Sequence, residues 1–290
     1  MSDFADFKRK SRSSSNLDEL SKKIQATSEK KSYKDDRFWR PELDKASNGY
    51  AVIRFLPAPP NEELPWAKLY THGFQAKGGW FIENSRTTFG EKDPVSEMNS
   101  ELWNSGIESD KDIARARKRK LQYISNILVI SDPANPQNEG KIFLYKFGKK
   151  IFDKIQEAME PEFADEKAVN PFDLWDGANF KLKVRKISGF INYDKSEFDS
   201  PSELFDGDDV QLEELWKKQY SLTAFTDPSN FKSYDELKQR LMEVVGDDIR
   251  SNEGTSAPTI QETSETLESK SESVAEETDA LDYFERLAKD

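Results

Sequence analysis

The stretch Asn179-Phe-Lys-Leu-Lys-Val-Arg185 constrains the fold more than any other part of the chain. Side chains alternate between the two faces of a strand, so Phe180, Leu182 and Val184 point one way and Lys181, Lys183 and Arg185 the other. The apolar face has to be core. The opposite face sets three like charges two residues apart, and they repel unless an anion lies across from them. Most strands of this kind simply expose a polar face. A second stretch, Lys141-Ile-Phe-Leu-Tyr-Lys-Phe147, changes the balance. Phe143, Tyr145 and Phe147 share one face, Ile142, Leu144 and Lys146 the other, and Lys149-Lys150 follow directly. With bulk on both faces, one is core and the other partly open. Rings beside cations suit an unpaired polynucleotide: bases stack on rings, at about 1–3 kcal/mol per base, while lysines hold phosphates. Phe143 is expected in the core. For Tyr145 core filling and stacking are evenly matched, because a tyrosine keeps a polar tip that tolerates solvent.

A formal net charge of −12 over 290 residues speaks against a polyanion ligand until its distribution is considered. Residues 253–290 hold 11 acidic and 3 basic side chains, a net of −8, which leaves −4 for the rest. A nearly neutral body is free to carry a locally basic surface, and local field governs where an anion docks. The tail 251–279 is rich in Ser, Thr and Glu and is expected to be disordered. Residues 279–288 allow one amphipathic helix with Leu281, Phe284 and Leu287.

The chain has no cysteine and one histidine, His72. Disulfides, thiolate metal sites and histidine-rich metal centres are therefore excluded. The start, MSDFADFKRK, has no apolar stretch of a secretory signal, and no apolar run is long enough for a bilayer span. A soluble cytoplasmic protein is expected.

Along the chain, residues 1–24 form a polar arm with a basic cluster, Lys8-Arg9-Lys10, and a short helix through Leu17, Leu20 and Ile24 capped by Asn16. Strands are predicted over 50–56, 66–74, 79–83, 122–130, 142–147 and 179–187. Residues 84–112 look irregular and polar, and 203–225 show no clear period. Helices are predicted over 149–159 and 234–245. The second has Ser233 and Glu236 as a capping box and Gly246 as its stop. The set predicts a mainly β protein with added helices (α+β), built on a five-stranded OB-fold barrel. The expected layout is an arm (1–24), a core (25–250) with an inserted subdomain at about 66–117, and an acidic tail (251–290).

Two further segments carry candidate chemistry. Arg115-Ala-Arg-Lys-Arg-Lys120 has five cations in six residues, with Tyr123 just beyond. In a chain of net negative charge this favours a polyanion contact over a merely solvated loop. Phe190 and Tyr193 lie in a glycine-containing loop directly after the cationic strand. Two rival classes find some support in the sequence. A metal-dependent nuclease would use Asp206, Asp208 and Asp209, but clustered acids in a glycine loop are more often solvated surface, and no lysine or histidine stands near to complete a two-metal site. An acidic scaffold would bind proteins only and leave DNA alone.

The chain resembles the single-stranded DNA-binding (helix-destabilising) proteins of T4-like bacteriophages. The resemblance is carried in order by Phe7-Lys-Arg-Lys-Ser11, Asn48-Gly-Tyr-Ala-Val-Ile-Arg-Phe-Leu-Pro57, His72-Gly-Phe74, Lys118-Arg-Lys120, Asn126-Ile-Leu-Val129, Asn138-Glu-Gly-Lys141, Phe147-Gly-Lys-Lys-Ile151, Gly177-Ala-Asn-Phe180, Ser188-Gly-Phe190 and Asn192-Tyr-Asp194. It implies a non-enzymatic protein of the host cytoplasm that coats single-stranded DNA cooperatively in replication, recombination and repair. It implies that Lys118, Arg119, Lys120, Tyr123, Tyr145, Phe190 and Tyr193 face the DNA cleft. The pattern adds Lys146, Lys149, Lys150, Lys181, Lys183 and Arg185, with Lys120, Tyr145, Lys183 and Tyr193 expected along one trough. Lys8, Arg9 and Lys10 would touch the neighbouring protomer, and the tail would recruit the polymerase, primosome and helicase loader. The family's zinc site of one histidine and three cysteines maps to His72 and to the vicinity of Ser85, Asp93 and Ser96, none a thiolate. No zinc or other cofactor is therefore expected, with Trp80, Phe81, Phe89 and Trp103 packing the subdomain instead.

Overall fold

The computed structural model describes residues 35–163 and 165–246. The arm with Lys8, Arg9 and Lys10, the tail 251–290, and the helices expected near 17–24 and 279–288 lie outside the described residues.

Among the described residues, nine strands form one sheet: β1 (Phe38–Trp39), β2 (Gly49–Phe55), β3 (Ala67–Ala76), β4 (Gly79–Asn84), β5 (Lys120–Ser131), β6 (Ile142–Phe147), β7 (Ala178–Ile187), β8 (Phe190–Asn192) and β9 (Glu197–Pro201). The order is β1-β6-β5-β2-β7-β8, with β3 and β4 branching from β5, and β9 from β7. Pairing is antiparallel except for β1 beside β6. The fold is mixed α/β with a large open sheet. The expected closed barrel is not formed by these pairings, because the outer edge of β6 meets only the two-residue β1 and the far edge of β7 is taken by β8 and β9. The sheet nevertheless curls. Trp39, Phe55, Tyr123, Tyr145, Phe180, Leu182 and Ile191, drawn from strands along the whole path, share one buried cluster.

The sequence accounts for most of these elements. Alternation places Phe180, Leu182 and Val184 inward on β7, as expected. Inside this sheet Arg54 is fully buried, its Nη2 donating to the carbonyls of Asp173 and Ser202 at 2.9 Å each. Burial pushes the Arg54 pKa down to about 10. The turn that supplies the Asp173 carbonyl needs Gly177, since a Cβ there would sit 2.2 Å from the Asp173 oxygen and 2.9 Å from Arg54 Nη2.

Five helices complete the described chain: α1 (Pro94–Asn104), α2 (Glu108–Ala116), α3 (Lys149–Met159), α4 (Asp209–Lys217) and α5 (Tyr234–Val245). α3 and α5 fall where predicted, and α5 carries its capping box through Ser233 and Glu236. The segment 84–112 is not irregular; it holds a 3-10 turn (Arg86–Phe89), α1 and most of α2. The missed signal is Asp93-Pro94, an N-cap followed by proline at the first helical position. Likewise Asp208 caps α4 within a stretch that shows no period.

The inserted region is also held differently than expected. Phe81 is buried with Phe74, Val95 and Met98, but the far wall of that cluster is Leu237, Leu241, Val244 and Val245 of α5. Phe89 and Trp103 are 41% and 48% exposed, so they do not fill this core. Helix α5 therefore closes a second apolar cluster whose other residues come from β3, β4 and α1.

Candidate nucleic-acid interface

The cationic face of β7 meets carboxylates of the chain itself. Lys181 Nζ lies 2.7 Å from Asp199, and Lys183 Nζ 2.6 Å from Glu197. Arg185 forms an ion pair with Asp194, donating through Nε at 3.0 Å and through Nη2. Hydrogen bonds from these cations hold the Glu197, Asp194 and Asp199 carboxyls below their ordinary range. The anion that relieves repulsion along β7 is thus supplied by β9 and the β8–β9 connection. Since Leu182 faces the core, these three cations stand on the outer side of the sheet.

The expected stacking tyrosines stand on the inner side. Tyr123, Tyr145 and Tyr193 are 5%, 3% and 8% exposed and belong to the central cluster. Tyr145 packs edge-on to Trp39, with ring centres 5.5 Å apart, and beside Phe147. Lys146, opposite Ile124 in the β5–β6 register, lies on the other face, 5.5 Å from the centre of the Phe38 ring. Burial lowers the Lys146 pKa to about 8, with the nearby Arg40 charge adding to the effect. Lys120 pairs with Thr71 and alternates away from Leu121 and Tyr123. Lys120, Tyr145, Lys183 and Tyr193 therefore do not line one trough: Tyr145 and Tyr193 are core, and Lys183 is on the outer face. The reason is twofold. Core formation claims the larger rings, and neighbouring carboxylates claim the β7 cations.

A different set does form a continuous surface. Arg119 lies over the Tyr70 ring at 4.2 Å, and Lys68 is 5.9 Å from the same ring. In the β3–β5 register Lys68 is opposite Tyr123 and Tyr70 opposite Leu121. Tyr123 stacks on Phe152 of α3 at 3.9 Å with the rings 4° from parallel, and Phe152 meets Trp66 edge-on at 5.3 Å. Arg119, Tyr70 and Lys68 set a ring between two cations at the surface, and the buried Tyr123 beneath joins them to the half-buried rings of Phe152 and Trp66, making one ledge. Tyr70, Trp66 and Phe152 are half-buried, and Lys68 and Arg119 are exposed. Sequence reasoning missed Lys68, Tyr70, Trp66 and Phe152. The signal was present as Lys68-Leu-Tyr70, a cation and a ring two apart on a predicted strand, which puts them on one face.

The ends of the ledge can be located. Lys118 is exposed beside Arg119. Arg115 is held within α2 by Glu108 at 2.9 Å and Asp112 at 2.6 Å. Lys149 and Lys150 begin α3, the helix that carries Phe152; Lys149 is engaged by Asp153 at 2.7 Å. The N-cap of α3 is Gly148, with no side-chain cap bond, so the first N–H groups of the helix receive none from that residue. Beyond Trp66 the surface changes sign. A cavity of about 640 Å³ between Trp66, Trp175 and Trp216 is rimmed by Glu63, Asp173, Asp209 and Glu213, which is unsuited to phosphate. Phe190 sits apart, 41% exposed at the tip of the β7–β8 hairpin, where Ser188 and Gly189 adopt positive φ.

No group of three metal-capable His, Cys, Asp or Glu side chains occurs among the described residues. Asp208 caps α4, accepting from Val210 N at 2.9 Å and Gln211 N at 3.2 Å. Its carboxylate is thereby a structural cap, which removes the central member of the rival nuclease cluster. The four positions matching the family zinc site do come together. His72 Nε2 is 2.9 Å from Asp93 Oδ1, and Ser85 Oγ donates to Asp93 Oδ2 at 2.9 Å. They do not suit zinc. Tetrahedral bonds of about 2.0–2.1 Å would hold the two ligand atoms roughly 3.3 Å apart. At 2.9 Å the histidine and the carboxylate are hydrogen-bonded directly, and the remaining positions offer only serine hydroxyls.

Residues 47–245 match the family model described as gp32 DNA binding protein like. The chain is 42% identical over 221 residues to the single-stranded DNA-binding protein of Enterobacteria phage T2, covering 74% of this chain and 72% of that one. It is 39% identical over 267 residues to the single-stranded DNA-binding protein of Enterobacteria phage T4, covering 89% and 84%. The residues matched by the family model, 47–245, include the ledge and the Asp93 cluster.

Proposed function

The chain belongs to the gp32 DNA binding protein like family of T4-like phages, a family of binding proteins and not of enzymes, and from that premise we propose that it binds single-stranded DNA without sequence preference. The observation that carries this reading is the cation–ring ledge from Arg119 to Trp66. Bases stack against Tyr70 and the Trp66–Phe152 edge, while Lys68, Lys118 and Arg119 hold phosphates and release counterions. Stacking needs bases that are not paired in a duplex, so the ledge selects melted DNA. Lys149, Lys150 and the N-terminus of α3 extend the positive field at one end. Lys120 and Lys146, on the opposite face of their strands, and Phe190, at the tip of the β7–β8 hairpin, stand off the ledge and are not part of this contact. Tyr123, Tyr145 and Tyr193 act from beneath, as the packed support of the surface rings. Lys181 and Lys183 hold β9 to β7, and Arg185 holds the β8–β9 connection.

In this reading the protein works in phage replication, recombination and repair in the host cytoplasm. No helix of the described residues is long and apolar enough to cross a membrane. Its strands derive from an OB-type barrel left open at β1 and β8. The arm around Lys8-Arg9-Lys10 links neighbouring protomers into a cooperative coat. The tail, with its net −8, recruits replication proteins such as the polymerase, primosome and helicase loader, and competes with DNA for the basic ledge.

The test is a titration of intrinsic fluorescence with oligothymidylate at two salt concentrations. Quenching that weakens with salt, by roughly 0.7 log units per log unit of salt for each phosphate neutralised, is expected. Removal of residues 251–290 should raise the affinity. A flat titration at low salt would return the protein to the class of acidic scaffolds that bind proteins only.

A further inference from the structure

We propose that the Asp93 carboxylate stands where the family's metal would be, and that this chain clamps its subdomain with hydrogen bonds and no zinc. The metal in a structural zinc site ties together segments distant in sequence. Here one carboxylate does so. Asp93 Oδ1 accepts from His72 Nε2 at 2.9 Å, Val95 N at 3.1 Å and Ser96 N at 3.0 Å. Its Oδ2 accepts from Ser85 Oγ at 2.9 Å and Arg86 N at 3.1 Å. These five donors come from β3, from the junction after β4, and from the first turn of α1. They are the same three segments that carry the positions matching the zinc ligands. A carboxylate offers about four lone-pair sites, so the group is saturated.

The surroundings suit an anion and not a cation. Asp93 and His72 are each 1% exposed, and Ser85 is 0% exposed. Backbone N–H groups at a helix start converge on the carboxylate, adding the positive end of the α1 dipole. The lone pairs of the Asp93 carboxylate already face donors, while the second ring nitrogen of His72 has no hydrogen-bond partner.

The clamp also reaches the ledge. His72 lies two residues along β3 from Tyr70. Ser85 N donates to the Tyr70 carbonyl at 2.8 Å, and Thr88 Oγ1 accepts from Tyr70 N at 2.9 Å. Asp93 is therefore a positioning residue for Tyr70, a role that rests on the proposed DNA-binding reading. The metal-free clamp itself does not.

The experiment uses the full chain purified from zinc-supplemented cells. Zinc content by elemental analysis, and thermal melting with and without EDTA, are measured on the parent, on Asp93→Asn and on Ser85→Ala. Expected are far less than one zinc per chain, superimposable melts with and without chelator, a melting temperature lowered by roughly 6–12 °C in Asp93→Asn, and one lowered by about 2–4 °C in Ser85→Ala. Stoichiometric zinc, or a parent melt shifted by EDTA, would overturn the proposal. So would Asp93→Asn melting like the parent. Should Asp93→Asn fail to fold, Ser85→Ala decides: loss of stability supports the clamp, and no loss overturns it. Oligothymidylate binding by Ser85→Ala reads the positioning role separately. Weakened binding is expected, and unchanged binding limits Asp93 to stability.

Discussion

Two regions of this molecule carry cations on neighbouring strands, and they use them in opposite ways. On the outer face of β7 each cation meets a carboxylate: Lys181 with Asp199, Lys183 with Glu197, Arg185 with Asp194. On the ledge of β3 and β5, Lys68 and Arg119 flank the Tyr70 ring. An ion pair nearly cancels the field seen by an approaching phosphate. A ring leaves the charge in place, because its face supplies only a quadrupole. The lesson is that a row of lysines in sequence measures charge present and not charge available. Which of the two it becomes is decided by the residues opposite.

The sharpest way to break this comparison is to strip the ledge. Tyr70→Ala combined with Arg119→Ala should weaken oligothymidylate binding by roughly 30- to 100-fold at moderate salt, measured by fluorescence titration. A loss under about threefold would place the interface elsewhere. Lys68→Ala should act mainly on the salt dependence, reducing the slope of log affinity against log salt by about 0.7. Lys183→Ala should change affinity by less than about twofold, since its charge is already answered by Glu197; an effect equal to that of the Tyr70 variant would reverse the comparison. Smallest of all is the pH effect of the β7 pairs. The carboxylates of Glu197, Asp194 and Asp199 are held below their ordinary range, so their pairing contributes fully at neutral pH and is lost only as pH falls through that lowered range. Between about pH 6 and 8 these three pairs should therefore leave affinity and stability unchanged.

Much of the fold was legible because alternation and caps are local. The inward row of β7, the β3–β4 hairpin and the capping box of α5 follow from residues a few positions apart. The ledge was less legible, because it depends on register between strands. Lys68 meets Tyr123 only through the β3–β5 pairing, and Phe152 reaches Tyr123 only because α3 folds back over β5. The same limit explains the misplaced tyrosines. The alternation in β6 shows that Tyr145 shares a face with Phe147, but only the curl of the sheet shows that this face is closed. The answer to the β7 charges of Lys183 and Lys181 lay fourteen and eighteen residues on, in Glu197 and Asp199, and a strand of five residues with no apolar period carries little to announce it.

The Asp93 cluster has a consequence for how the molecule comes into being. A clamp assembled from a carboxylate, an imidazole, a hydroxyl and backbone amides is complete when the chain is. It has no loading step and no competition with other chains for a scarce ion. Nor has it thiolates for peroxide to destroy, because the chain contains no cysteine at all. A chain clamped in this way, with no metal to acquire, would mature at the rate of its own folding.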